Sequence, residues 1–526
     1  MTKFEEHSMA TPLPPQTLII GTRRSVTELS LLLALADPDA PLVGALLYSG
    51  SSQDQIGDIP VLGGLGDLEQ MIEQHEVQCV LVSLPVVLMS QLRHVIATLA
   101  GHGVLWRFMP TLSDQLEGRI VNPITEFALS GSQGIQSSAA AGWFNPDVLL
   151  DRPPAQLHEE LIARMIKGQV VMITGAGGSI GSELARQVAR FGPATLVLAE
   201  RNENALFVIQ QQIKQLYPNL QCVSQLHDVV NAARTVSLVD KHRPHLIFHT
   251  AAHKHVPLME SHPWDAVANN YFGTRSVADA AHAAEVPRFV QISTDKAVNP
   301  TSIMGAAKRL AELYVQDLNV RSKTTCCTVR FGNVLGSAGS VVLTWMNQLA
   351  KGAAITVTHP EMTRYFMTIG EGAGLVMQSA AMAEQEEQSA GPLFVLDMGK
   401  PIRILDLARR FLISQGLEPD IDVPIKITEV RPGEKLTEQL AYDHEDAQAT
   451  AHPSIHRLRT APPEPQIIKT LLETFDTLRD DVIAHDHDPS IIDRKQLVAA
   501  LKKVIPELSD QPDVAPSDVS NSISTS

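Results

Sequence analysis

The sequence predicts an α/β protein built on doubly wound parallel sheets, and three observations carry this. Short apolar runs rich in Val, Ile and Leu alternate with longer amphipathic stretches, the pattern of strands buried on both faces and joined by crossover helices. Two of these runs, Thr17–Ile20 and Val170–Thr174, lead straight into a glycine and then a helix pattern. The second opens Gly175-Ala176-Gly177-Gly178-Ser179-Ile180-Gly181, whose glycine spacing lets a backbone approach a pyrophosphate.

Taken in order, residues 1–16 read as a disordered leader without the apolar core of a signal peptide. Residues 17–129 read as a Rossmann-like auxiliary domain. Its strands fall at Thr17–Ile20, Leu42–Tyr48 and Val77–Ser83, and its helices at Val26–Ala36, Leu65–His75 and Ser90–Gly101. Arg23 and Arg24 stand where its first turn would need glycines, so assembly or regulation is expected of it rather than dinucleotide binding. Residues 130–143, SGSQGIQSSAAAGW, are small and polar and open a linker that runs to 157. Residues 158–460 read as the main domain, with a helix at His158–Ile166, and 461–506 as two amphipathic helices packing on the body or on a second subunit. Residues 507–526, rich in Ser, Asp and Pro, read as a disordered tail.

Composition narrows the function. With 526 residues and 44% hydrophobic content, the chain has ample material for globular cores. A net charge of −16 with no basic block argues against nucleic acid as a partner. Cys79, Cys222, Cys326 and Cys327 show no paired spacing, and no metal site is expected. No run approaches the ~20 apolar residues that cross a bilayer, so a soluble, cytoplasmic protein is expected.

The second glycine turn has the context that its chemistry requires, a strand before it and a helix pattern at Ser182–Phe191 after it. Gly175 permits the tight turn, Gly178 lets the backbone approach the phosphates, and Gly181 lets helix and strand pack closely. The helix N-terminus adds N–H groups and partial positive charge at Ser179 and Ile180. Glu200 ends the next strand, where a carboxylate accepts from ribose hydroxyls and favours NAD, whereas the neighbouring Arg201 suits the extra phosphate of NADP. NAD is the expected cofactor. Asp228 follows the strand Cys222–Leu226 and either meets the adenine or caps a helix.

The densest motif is Gln291–Arg309, QISTDKAVNPTSIMGAAKR. Thr294, Asp295 and Lys296 fall at the carboxyl end of a buried strand, where ligands bind in open α/β sheets. Lys308 lies one turn after Met304 on the helix Met304–Tyr314. Short-chain dehydrogenases carry a Tyr-x-x-x-Lys pair at this place, and Met304 occupies the tyrosine position. With TGAGGSIGSEL (Thr174–Leu184), FHTAAHKHVPLME (Phe248–Glu260), NNYFGT (Asn269–Thr274), VRFGNVLGSAGSV (Val329–Val341), THPEMTRYFMT (Thr358–Thr368), FVLDMGKPIRILDLA (Phe394–Ala408) and RPGEKL (Arg431–Leu436), the region from about Asp147 to Leu440 resembles the nucleotide-sugar 4,6-dehydratases of polysaccharide biosynthesis. These are extended short-chain dehydrogenases with a small C-terminal substrate subdomain. Long members usually carry membrane helices before the auxiliary domain. This sequence shows none, so a membrane location is not carried over.

The resemblance implies conversion of UDP-N-acetylglucosamine to a 4-keto-6-deoxy sugar, by hydride transfer from C4 to C6 through bound NAD, in a homo-oligomer. Lys296 is then the base at C5, its pKa depressed by burial or nearby cations, and Asp295 the acid at O6. Thr294 binds O4, and Lys308 holds the nicotinamide ribose. Met304 accepts no proton, which leaves the C4 hydroxyl to Asp295 or an ordered water. Ala251 and Ala252 lie under the cofactor, and Lys254, Asn333, Arg431 and Glu434 bind substrate. Arg364 is either a phosphate ligand or an ion-pair residue, and His255 is a packed, hydrogen-bonded histidine. The alternatives are a nucleotide-sugar 4-epimerase and a catalytically silent dinucleotide sensor or scaffold.

Overall fold

The computed structural model describes residues 16–36, 42–50, 55–116, 149–150, 152, 155–383 and 391–509. The expected leader up to residue 15, most of the 130–157 linker and residues 510–526 of the tail lie outside the described residues. The chain divides into two units, residues 1–152 with 338–360 and 404–428, and residues 153–337 with 361–403 and 429–526.

In the first unit, β1 (Thr17–Gly21), β2 (Leu42–Leu47), β3 (Gln55–Ile56), β4 (Ile59–Gly64), β5 (Cys79–Ser83) and β6 (Leu105–Phe108) form a sheet in the order β3-β4-β2-β1-β5-β6. Neighbours run parallel except β3 with β4. Leu18, Ile19, Ile20, Val80 and Val82 are fully buried, as central strands covered on both faces must be. The sequence reading assigned no strand to β3, β4 or β6; β3 and β6 are runs too short to show a period, and Pro60 and two glycines interrupt β4.

Two later segments join this unit, although the sequence reading assigned both to the 158–460 domain. The helices Val341–Ala350 and Ile404–Ser414 bring the rings of Trp345 and Phe411 to 5.6 Å. Strands Ile355–Val357 and Ile425–Ile427 pair in parallel, and Trp345 Nε1 donates to Thr356 O at 2.8 Å. Ser113 Oγ donates to Ser414 O at 3.0 Å, tying the auxiliary domain to a segment far downstream.

In the second unit, β7 (Val170–Thr174), β8 (Thr195–Glu200), β9 (Gln221–Leu226), β10 (Leu246–His249), β11 (Arg288–Thr294), β12 (Thr325–Phe331), β13 (Leu393–Leu396), β14 (Asp446–Ala449) and β15 (Ile455–Arg459) form one sheet. Its order is β14-β15-β13-β12-β11-β10-β7-β8-β9. The seven strands from β13 to β9 are parallel, and β14 and β15 close one edge antiparallel. Strand order reverses between β7 and β10, and the carboxyl-end crevice at such a reversal is where this topology takes a ligand. The C-terminal helices Pro465–Ala484 and Arg494–Val504 pack on the body: Ile468, Leu471, Phe475 and Leu497 enter the apolar cluster around the helix Ile303–Arg321. Arg275 Nη1 pairs with Asp476 at 2.6 Å, and Arg494 Nη2 with Glu260 at 2.8 Å, pinning both helices at their flanks. Among the described residues, no helix is long and apolar enough to cross a membrane.

Candidate active site

Three structural segments of the second unit meet at the carboxyl edge of the sheet: the glycine turn after β7, the turn after β11, and residues 431–438. The glycine turn follows from sterics. Gly175 has φ +68°, a left-handed conformation that favours glycine. A Cβ on Gly181 would stand 2.1 Å from Gly175 O, so this residue must be glycine for helix and strand to meet. A Cβ on Gly178 would meet nothing nearer than Gly175 O at 3.3 Å, because that side of the turn is open. Gly178 caps the helix Ser179–Arg190, which begins three residues before the expected Ser182. The first N–H groups of a helix lack intrahelical acceptors. An open glycine face beside such a terminus fits a dinucleotide pyrophosphate.

Glu200 ends β8 and accepts from Gly177 N at 3.1 Å, Arg201 N at 2.9 Å and Asn202 N at 2.9 Å. Three of a carboxylate's roughly four lone-pair sites are thereby used, which fixes its orientation and leaves one acceptor position. The Arg201 guanidinium is turned to His253. Asp228 accepts from Val230 N at 3.0 Å and closes a turn, while the cap of the following helix is Asn231. The capping alternative for Asp228 is therefore corrected: Asn231 stands one residue before the helix and Asp228 too far back. Ala251 is half-buried, with its backbone against Gly175, and Ala252 is exposed.

The turn after β11 is held from several sides. Ser302 Oγ accepts from Gly305 N at 3.1 Å and caps the helix Ile303–Arg321. A Cβ on Gly305 would lie 2.2 Å from Lys296 O, so the missing side chain lets this helix press against the turn after β11. Lys296 Nζ donates to Asp295 Oδ1 at 2.9 Å and to Asn333 Oδ1 at 3.1 Å. Thr294 Oγ1 donates to the same Asp295 oxygen at 2.9 Å. Asp295 is fully buried, and its Oδ2 has no hydrogen-bond partner among the described residues. Buried polar atoms are ordinarily hydrogen-bonded, so this oxygen is an exception at the carboxyl end of the strand.

Met304 is buried in the apolar cluster of its helix. Lys308, also buried, donates from Nζ to Ile292 O at 2.5 Å. Burial lowers its pKa to about 8, against the opposing pull of Glu312. His249, at the end of β10, is fixed between Thr174 Oγ1 at 2.8 Å and Thr274 Oγ1 at 3.0 Å. Burial, with the Lys308 charge, lowers its pKa to about 3, so this histidine is a neutral structural pin.

On the third side, Arg431 Nη2 pairs with Glu434 Oε1 at 2.5 Å. Arg364 is buried, donating to Thr363 O at 2.7 Å, Leu436 O at 3.2 Å and Lys435 O at 2.8 Å. Its Nε lies 3.9 Å from Glu438 Oε1, which favours the ion-pair alternative. His255 is exposed rather than packed, and Lys254 is exposed on the same loop. The sequence reading missed Glu438, a buried carboxylate 3.8 Å from Lys296 Nζ. It lies two residues beyond the quoted RPGEKL motif, and only its neighbourhood to that motif could have drawn attention.

Behind these segments, Arg330 on β12 is fully buried between Glu312 at 2.8 Å and Glu445 at 2.7 Å. Burial raises the Glu312 carboxyl, and Arg330 more than reverses this, holding it at about 2. The triad links β12, the helix carrying Lys308 and the chain beyond Glu438.

Residues 171–460 match the family described as polysaccharide biosynthesis protein. The capsular polysaccharide biosynthesis protein CapD of Staphylococcus aureus is 39% identical over 402 residues, covering 76% of this chain and 63% of its own length. The chain thus spans under two thirds of that relative. A UDP-glucose 4-epimerase of Rickettsia rickettsii is 30% identical over 291 residues, 54% of this chain and 81% of its own. Among solved structures, the X-ray structure of Pen from Bacillus thuringiensis superposes with a TM-score of 0.51 at 31% identity, covering 57% of this chain and 91% of that one.

Proposed function

Because the chain belongs to the polysaccharide biosynthesis protein family and has the Rossmann-like fold of extended short-chain dehydrogenases, we propose that it is an NAD-dependent 4,6-dehydratase of UDP-N-acetylglucosamine. The observation that carries this reading is the buried Asp295 carboxylate in direct contact with Lys296 at the end of β11, an acid and a base side by side. Elimination of water across C5 and C6 needs both.

Gly175, Gly177, Gly178, Ser179, Ile180 and Gly181 would hold the pyrophosphate of NAD. Glu200 would bind the adenosine ribose, Asp228 the adenine, Ala251 and Ala252 would leave room beneath the cofactor, and Lys308 would bind the nicotinamide ribose. The cofactor, when bound, supplies the acceptor and then the donor of the hydride that moves from C4 to C6. The chain's own groups handle the protons. Thr294 orients O4, and the Asp295 carboxylate takes the O4 proton as C4 is oxidised. Lys296, neutral, takes the C5 proton that the new ketone has acidified. The C6–O6 bond breaks as Asp295 passes its proton to O6, and water leaves. When hydride reaches C6, the Lys296 ammonium returns its proton to C5. Two protons leave the sugar and two return, so both residues end as they began. Met304 needs no proton role in this scheme. Lys254, Asn333, Arg431 and Glu434 would bind the sugar diphosphate and nucleotide.

The similarity to a 4-epimerase supports a second reading, in which only C4 is oxidised and reduced. Incubation with UDP-N-acetylglucosamine, followed by mass spectrometry for loss of water and proton NMR for the configuration at C4, separates the two. A product lighter by one water, with a 4-keto group, supports dehydration. An isobaric galacto sugar supports epimerisation, and no product at all removes both.

A further inference from the structure

We infer that Glu438 is a third ionisable member of the Asp295–Lys296 pair, a positioning residue that sets how tightly Lys296 holds its proton. The catalytic meaning of that proton rests on the dehydratase reading above. The geometry stands apart from it.

Glu438 is 3% exposed and surrounded by charge. Its Oε1 lies 3.8 Å from Lys296 Nζ and 3.9 Å from Arg364 Nε, and its Oε2 lies 3.8 Å from Lys435 Nζ. Two of these cations are fixed by the backbone: Arg364 by three carbonyls, and Lys435 by Val298 O at 2.7 Å. Lys296 sits instead among side-chain oxygens that change charge or are neutral, Asp295, Asn333 and Glu438. Glu438 Oε2 has no hydrogen-bond partner among the described residues, and neither has Asp295 Oδ2. Lys296 is thus flanked by two buried carboxyl groups, one hydrogen-bonded to it and one held at ion-pair distance.

Burial, with the nearby Asp295, raises the Glu438 carboxyl, while Lys296, Arg364 and Lys435 pull it down, and the rise prevails. When Lys296 takes the C5 proton, the C5–H bond breaks with its electron pair left in the sugar, and an N–H bond forms on Nζ. An ionised Glu438 stabilises the resulting ammonium, and a protonated Glu438 does not. The basicity of Lys296 then follows the charge on a residue from a distant part of the chain.

The test is Glu438→Gln, which keeps shape and removes charge, in the full chain. Lys296 is followed by NMR of protein labelled at lysine Cε, its signal identified by loss in Lys296→Met. The expected result is a fall in the Lys296 pKa on the order of one pH unit, the usual scale for an opposite charge at this range. The ascending limb of the pH–rate profile for product formation moves to lower pH by the same amount. An unchanged Lys296 titration, or a loss of rate equal at every pH, overturns the inference. If the glutamine variant does not fold, Glu438→Asp decides, since it draws the charge back by one methylene. A lowered Lys296 pKa supports the inference and an unchanged one overturns it. A shifted titration in a protein that makes no 4-keto-6-deoxy product sinks the dehydratase reading alone, and product formation with no shift sinks only the role of Glu438.

Discussion

Replacing Lys308 by Met should stabilise the cofactor-free fold. The ammonium is buried, it donates among the described residues to Ile292 O, and its pKa falls from 10.5 to about 8. At about 1.4 kcal/mol for each pH unit, burial of the charged form disfavours the folded state by roughly 3 kcal/mol. Methionine has a similar length and needs no solvation, but it forfeits the hydrogen bond, worth about 1–2 kcal/mol. The net gain is about 1–2 kcal/mol, or roughly 1–3 °C in melting temperature for a chain of this size. The pH dependence has a defined sign. Below pH 8 folded and unfolded chains both hold the proton, and the parent bears the whole penalty. Between about 8 and 10.5 the unfolded chain binds more protons than the folded one, so parent stability rises with pH and the advantage of the variant shrinks. Thermal unfolding of parent and Lys308→Met, stripped of nucleotide, at pH 7 and pH values approaching 10 measures this. A variant no more stable than the parent at pH 7, or an advantage that does not shrink at higher pH, refutes the reasoning. The same substitution should weaken NAD binding, a case of stability yielding to function.

Three further substitutions test the turn after β11 and the glycine turn after β7. Lys296→Met should retain NAD and substrate binding but lose about 10²–10⁴-fold in formation of 4-keto-6-deoxy product. Near-parent turnover at saturating substrate would remove Lys296 from the role of base. Gly178→Val should keep the fold at the cost of one close contact, 3.3 Å to Gly175 O, and lose NAD affinity by filling the turn, whereas Gly181→Ala should destabilise the fold more through its 2.1 Å clash with Gly175 O. Calorimetric titration with NAD and thermal scans of both variants check this, and normal affinity in Gly178→Val would place the pyrophosphate elsewhere.

The sequence by itself determined whatever depends on short spacing. The apolar runs became β7, β8, β10, β11 and β12, because a strand buried on both faces needs only a few consecutive β-branched or aliphatic residues. The glycine turn was legible because its sterics are local: Gly175 carries a positive φ, and Gly181 lies six residues along the same turn from the carbonyl it must clear. The contact of Asp295 with Lys296 is a contact of neighbours. Tertiary structure decided what depends on distant pieces of chain. It brought Glu438 and Asn333 to Lys296, buried Arg330 between Glu312 and Glu445, and turned Arg364 from a possible phosphate ligand to the carbonyls of Thr363, Lys435 and Leu436. It joined segments 338–360 and 404–428 to the auxiliary domain, and it folded Asp446–Arg459 back as an antiparallel edge. No local pattern encodes such contacts. Each forms because a buried charge or apolar face must find a partner, and the partner it finds depends on how the whole chain has packed.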